Sequence, residues 1–368
     1  MSVASPGLKS SLQQHDIFAQ ISEYEHEQVV FCFDKQTGLK SIIAIHSTVL
    51  GPSLGGTRFW NYEREADALT DVLRLSRGMT YKAAITGLNL GGGKAVIIGD
   101  PKKLRSEAFF RRYGKFVNSL NGKYYTAEDV NTNSEDMANI AYETKFVTGK
   151  PEYLGGGGDP SPVTAYGTFL GIKASVKELT GSDDLLDKTV LVQGVGHVGE
   201  YLVKLLVEAG ARVRISDINT ERLREISKNY KVEVVNGENE YTTDMDVYAP
   251  CALGATVNDI TIPLLKCSII AGSANNQLAD EVRHGNMLKD RGVIYAPDFL
   301  INAGGLINVG LELGEYNREY VYSLTEKIYD RTLQIFRTAN KENITTHEAA
   351  LRLAEERIQQ IGRLKTML

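Results

Sequence analysis

The stretch Thr189-Val190-Leu191-Val192-Gln193-Gly194-Val195-Gly196-His197-Val198-Gly199 decides the fold. Its first half is a short apolar run rich in β-branched residues, the mark of a buried strand. Its second half reads G-x-G-x-x-G and opens a helix whose apolar face carries Val198, Leu202, Leu205 and Leu206. In such a unit the first glycine permits a tight turn and the second lets the backbone approach a pyrophosphate. The third lets helix and strand pack closely, and the helix N-terminus offers unpaired N–H groups to the anion. The next apolar strand, residues 213–216, leads to Asp217, ~20 residues beyond the turn, where a carboxylate suits a ribose and disfavours a 2′-phosphate. Gly194, Val195, Gly196, His197, Val198, Gly199 and Asp217 thus predict a dinucleotide site, and NAD rather than NADP. Arg212 and Arg214, flanking that strand, are the features that would favour the phosphorylated cofactor.

Further apolar runs at residues 232–235, 246–249, 268–272 and 293–296 alternate with helical segments, which predicts a doubly wound parallel sheet. Upstream, residues 150–162 hold Pro151, four consecutive glycines, Pro160 and Pro162, a composition that forms no regular element and marks a hinge. Before it, residues 28–50 read as a β-hairpin turning at Thr37-Gly38, and residues 65–78 have a helical period that Gly78 should stop. Residues 95–98 read as a short buried strand, and 105–120 as a second amphipathic helix. A chain of 368 residues exceeds what one core usually holds. The reading is an α/β protein of two domains: an N-terminal α/β domain over 1–150 and a Rossmann-type doubly wound NAD-binding domain over 151–330. The C-terminal helices, 331–368, are expected to pack back on the first domain.

Asp and Glu outnumber Lys and Arg by 46 to 41, for a net charge of -5, so no global basic field exists to attract a nucleic-acid backbone. Cys32, Cys251 and Cys267 are odd in number and widely spaced, which fits reduced thiols in the cytoplasm. Residues 1–20 lack the apolar core of a signal peptide, and no stretch approaches the ~18–20 uncharged apolar residues of a membrane span. The six histidines are scattered without ligand spacing, so no metal site is expected.

The N-terminal half carries Met79-Thr80-Tyr81-Lys82, then Gly91-Gly92-Gly93-Lys94, then Glu128-Asp129-Val130-Asn131. Three adjacent glycines are tolerated mainly where something must come close. A lysine in a desolvated, cation-rich pocket has its pKa pushed toward neutrality and can serve as a base, while a second lysine stays charged and holds a substrate carboxylate.

Together with Leu54-Gly55-Gly56-Thr57-Arg58, Gly158-Asp159-Pro160-Ser161 and Ile301-Asn302-Ala303-Gly304-Gly305, these strings resemble the Glu/Leu/Phe/Val amino-acid dehydrogenases over nearly the whole chain, in order, and lie nearest the leucine branch. The resemblance implies NAD-dependent, reversible deamination of an L-amino acid to a 2-oxo acid with release of ammonia. It assigns Lys94 as the base that activates water, Asp129 as its proton-exchanging partner, and Lys82 as the ligand of the substrate α-carboxylate. Met79, Gly55 and Gly56 fall among the substrate-binding positions, and Thr164 and Asn276 match positions at the nicotinamide end. It also implies that 1–150 is a substrate/catalytic domain separated by a cleft from the NAD-binding domain, and a homo-oligomer, often an octamer, built through that substrate domain.

In the glutamate branch a lysine precedes the glycine pair, and here Leu54 stands there. Leu306 and Val309 complete an apolar side-chain pocket, in which an unpaired carboxylate would cost several kcal/mol. Branched-chain amino acids, leucine with valine and isoleucine, are the expected substrates, and a role in their catabolism follows. Leu306 resembles the phenylalanine branch, which makes phenylalanine the alternative. Two further readings are a catalytically silent NAD-binding regulator, disfavoured by the intact Lys82, Lys94 and Asp129, and a hydroxy-acid dehydrogenase, which needs a His–carboxylate pair from His46, His197 or His284.

Overall fold

The computed structural model describes residues 17–366, which divide into two units. The first comprises the chain up to Gly158, the segment Val309–Tyr316 and the residues from Arg357 onward. The second comprises Asp159–Asn308 and Asn317–Glu356. The boundary between Gly158 and Asp159 falls inside the glycine-rich segment 150–162. Most of the stretch read for a signal peptide lies outside the described residues. Among the described residues no helix is long and apolar enough to cross a membrane.

In the first unit, β1 (Gln28–Asp34), β2 (Leu39–Ser47), β3 (Ser53–Trp60), β4 (Gly91–Ile98) and β5 (Tyr124–Glu128) form one sheet in the order β1-β2-β4-β3-β5. β2 pairs antiparallel with β1 and with β4, whereas β3 runs parallel to β4 and β5. One face buries Phe59, Tyr113, Tyr124 and Met137 against α2 (Glu107–Ser119) and α3 (Ser134–Ala141). The other buries Ile42, Ala44 and Val96 against α1 (Glu65–Ile85).

Helix α1 does not stop at Gly78. Thr80, Ala83 and Ala84 continue its buried stripe, and that burial offsets the ~1 kcal/mol that a mid-helix glycine costs. It ends at Gly87, whose φ of +72° only glycine adopts freely. There Gly87 N–H donates to the Ala84 carbonyl and Leu88 N–H to that of Ala83, the paired bonds of a Schellman cap.

Strand β4 begins at Gly91, so the triple glycine is strand, and what comes close to it is protein. A Cβ at Gly92 would lie 2.6 Å from the Ser76 carbonyl oxygen of α1, and one at Gly93 would lie 2.7 Å from the Tyr124 ring.

The second unit holds a wholly parallel sheet of β6 (Thr189–Gln193), β7 (Arg212–Ser216), β8 (Glu233–Val234), β9 (Val247–Pro250), β10 (Ile269–Ile270) and β11 (Ile294–Tyr295). Its order, β11-β10-β9-β6-β7-β8, reverses direction between β6 and β9, the doubly wound arrangement whose ligands bind at that switch point. The helices α4 (Ser161–Thr180), α5 (His197–Glu208), α6 (Thr220–Tyr230) and α7 (Glu281–Asp290) belong to this unit, and the short helix α8 (Gly304–Gly310) follows.

Of the residues 331–368 expected on the first domain, only those from Arg357 onward belong there. Helix α9 (Arg318–Glu342) instead packs on α4, because Gly167 leaves no Cβ where the Ile328 and Thr325 side chains enter. Helix α10 (Thr346–Thr366) follows it.

Candidate active site

Lys94 lies on β4 and is only 6% exposed. Its Nζ stands 3.0 Å from Asp129 Oδ1, and the other carboxylate oxygen accepts from Arg58 Nε at 3.1 Å. Arg58 is itself held by Asp71 of α1 at 2.9 Å, and the Tyr62 hydroxyl donates to the same oxygen. Burial alone would raise the Asp129 carboxyl, but the Lys94 and Arg58 charges outweigh it and hold the group below the ordinary carboxylate range. Lys94 is thus desolvated as expected, yet it faces an anion rather than a cluster of cations. The Asp129 backbone N–H donates to Thr132 Oγ1, which fixes the turn just past β5.

Glycines let these parts meet. A Cβ at Gly56 would fall 2.9 Å from Asp129 Cβ, and one at Gly55 would fall 3.4 Å from Met79 Cγ. Met79 and Lys82 are one turn apart on α1, both half-buried, so they share the helix face that approaches β3. Leu54 is fully buried, and its Cδ2 points toward Gly310, the neighbour of Val309. Leu306 is buried within the second unit.

In the second unit the three glycines of the turn do three different jobs. Gly194 has φ +92° and its missing Cβ would meet Ala252 at 2.6 Å; Gly196 faces open space; Gly199 packs against the Gly194 carbonyl. The N-terminus of α5 has no side-chain cap, and exposed His197 is its first residue. Asp217 leaves β7 with Oδ2 accepting from Val195 N–H at 2.8 Å and Oδ1 from Asn219 N–H at 2.8 Å. Val198 is half-buried behind the turn, and Ile218 beside Asp217 is fully exposed. An open glycine cradle, an uncapped helix start and a carboxylate at the end of the second strand fit a dinucleotide.

Arg212 and Arg214 are engaged elsewhere, with Asp187 at 2.6 Å and Glu233 at 2.9 Å. Thr164 donates to the Pro160 carbonyl and borders Gly305, while exposed Asn276 has φ +52° and accepts from Ala255 N–H through its carbonyl. Of the histidines that a hydroxy-acid dehydrogenase would need, His284 has a carboxylate near it, with its Nε2 3.5 Å from Asp259 Oδ1. His46 is buried against Thr80 at 2.8 Å, and buried His284 accepts the Asp280 N–H.

Four contributors escaped sequence reasoning. Arg58 and Asp71 complete the ionic chain of Lys94, but Arg58 lies 71 positions from Asp129, beyond any local pattern. Glu240 accepts from Gln193 Nε2 and Ser216 Oγ, tying together the strand ends from which the glycine turn and Asp217 emerge. Arg222 donates to the Val195 carbonyl and pairs with Glu200, bracing the turn from α6.

Residues 26–146 match the family model described as Glu/Leu/Phe/Val dehydrogenase, dimerisation domain, and residues 155–220 and 214–365 match that of Glutamate/Leucine/Phenylalanine/Valine dehydrogenase. The chain is 52% identical to leucine dehydrogenase of Thermoactinomyces intermedius over 95% of both chains. It is 48% identical to phenylalanine dehydrogenase of the same organism, over 96% of this chain and 97% of the relative. Among solved structures, L-tryptophan dehydrogenase from Nostoc punctiforme superposes with a TM-score of 0.85 at 45% identity, over 95% of this chain and 99% of that one.

Proposed function

Because the chain belongs to the Glu/Leu/Phe/Val dehydrogenase family, and is thereby an amino-acid dehydrogenase of NAD(P)-dependent kind, we propose that it deaminates branched-chain L-amino acids, leucine with valine and isoleucine, and uses NAD. The observation that carries the substrate is Leu54: it is buried, apolar and on the strand beside Lys94, where a side-chain carboxylate would find no counter-charge in Leu54 itself. The cofactor choice rests on Asp217, and on Arg212 and Arg214 being committed to their own acids.

Lys82 binds the substrate α-carboxylate, which directs the aliphatic side chain toward Leu54. Asp129 takes a proton from the substrate ammonium, leaving a neutral amine. The turn at Gly194–Gly199 and Asp217 would hold NAD, which would supply the acceptor for the hydride that leaves Cα. The iminium so formed is attacked by water whose proton passes to Lys94, and collapse of the carbinolamine frees ammonia and the 2-oxo acid. Burial of Lys94 keeps stray water from competing for its proton. Thr164 and Asn276 serve the nicotinamide end. The enzyme works in the cytoplasm as a homo-oligomer assembled through its first unit, whose edge strand β1 exposes Phe31 and Phe33.

The test is the absorbance of NADH formed at alkaline pH with leucine, valine, isoleucine, phenylalanine and glutamate. The branched aliphatics should lead. Activity confined to glutamate would sink the Leu54 argument, and phenylalanine in first place would move the enzyme to the aromatic branch.

A further inference from the structure

Four residues join the cap of α1 to β4. Gly87, Leu88, Asn89 and Leu90 thereby connect the helix bearing Met79 and Lys82 to the strand bearing Lys94. Leu88 and Leu90 are both buried. Their tips converge with that of Leu54 on one point, the empty side of Gly310. A Cβ there would sit 3.0 Å from Leu90 Cδ1 and 3.8 Å from both Leu88 Cδ1 and Leu54 Cδ2. Leu54, Leu88, Leu90 and Gly310 therefore make one apolar cluster, with Val309 next in the chain.

The backbone of this linker is not held by strand pairing. Besides the cap bonds of the Gly87 and Leu88 N–H groups, it is held by Arg357 of α10, which donates to the Leu88 carbonyl at 2.8 Å, to the Gly87 carbonyl at 3.2 Å and to Asn89 Oδ1 at 2.8 Å. Three divergent acceptors suit the rigid, planar fork of a guanidinium, and a lysine ammonium cannot reach them in the same way. Burial also pushes the Arg357 pKa down, so the charge is kept here against a desolvation penalty. A positive group at this point further suits the carbonyl end of α1.

We propose that Arg357 is a positioning residue for substrate selection: by holding residues 87–89 it fixes Leu88 and Leu90 as the far wall of the aliphatic subsite that Leu54 begins, with Gly310 setting its depth. The inference rests on the reading of Leu54 given under Proposed function. It extends the site to a helix 269 residues downstream of Leu88 and names three wall residues beyond those read from the sequence.

The test is steady-state kinetics of the full-length enzyme on valine, leucine and phenylalanine, with NAD affinity measured by fluorescence. Arg357→Met should raise KM for leucine by about tenfold, the scale of a lost charge-assisted hydrogen bond, and change the leucine-to-valine ratio of kcat/KM by about threefold or more. Its kcat and NAD affinity should stay near wild type. Arg357→Lys should recover only part of the loss. Gly310→Ala should penalise phenylalanine and leucine more than valine, and Leu90→Ala should improve phenylalanine relative to leucine.

A uniform fall in kcat for all three substrates, with their ranking preserved in Arg357→Met, would overturn the proposal. Should that variant fail to fold, unchanged rankings in both Gly310→Ala and Leu90→Ala would overturn it equally. A wild type inactive on aliphatic amino acids overturns the reading of Leu54 along with this one. A wild type active on leucine whose ranking ignores Arg357, Leu90 and Gly310 overturns this inference alone.

Discussion

Asp129 gives one oxygen to Lys94 and the other to Arg58. Removing Lys94 therefore leaves the carboxylate a partner and the strand intact. Lys94→Ala is expected to lower kcat by about 10²–10⁴-fold, the range of a lost acid–base group, with NAD binding by fluorescence nearly unchanged. Loss of NAD binding as well would show that the lysine serves the fold. Asp217→Ala should narrow the NAD-to-NADP ratio of kcat/KM by about tenfold; an unchanged ratio would place the ribose partner elsewhere. The resemblance singled out Lys94 and Asp129, 35 positions apart, and the fold sets the two side chains 3.0 Å from each other. The roles of Arg58 and Asp71 were not legible, since ion pairs across a sheet leave no periodic trace and only the folded register brings Thr57 beside Glu128.

The same contrast holds for elements. The hairpin of β1 and β2 and the strand–turn–helix of β6 and α5 were legible because side-chain alternation and turn residues announce them. Strands β3 and β4 were harder, since Gly55, Gly56 and Gly91 to Gly93 have no side chains to alternate, and Gly78 looked like a stop although the buried stripe of α1 runs past it. Gly92 of β4 is there for helix α1: Gly92→Ala should force strand and helix apart and lower the stability of the first unit by about 2 kcal/mol or more. Calorimetry would read this as an earlier first transition. An unshifted transition would mean that the helix yields freely.

At the scale of the whole molecule, the two-unit α/β plan was legible from length and from the glycine-rich segment 150–162, whereas the return of the chain at Val309–Tyr316 was not, and the C-terminal return, expected from residue 331, begins only at Arg357. Such returns depend on which distant surfaces match, as the Gly167 gap matches Ile328. The chain's response to acid is also a global property. His26 and His46 stack edge to face at 4.9 Å, and burial, joined at His26 by the His46 charge and at His46 by that of Arg77, lowers both from 6.5 to about 4. Between pH 6.5 and 4 the unfolded chain takes up protons that the folded rings refuse, so stability falls through that window and levels below it. The slope should reach at most about 1.4 kcal/mol per pH unit for each ring. Thermal melts of His26→Gln/His46→Gln should show a flatter pH dependence than wild type; an equally steep one would acquit the pair. Phe31→Lys/Phe33→Lys on the edge of β1 should give a smaller particle by light scattering with unchanged circular dichroism, and an unchanged mass would move the assembly surface off that strand. Arg357 reaches back across 269 residues to Leu88. On the ribosome, then, the sheet of the first unit is translated long before the residue that clamps its linker, and the substrate side stays unfinished until the last residue of the second unit has been made.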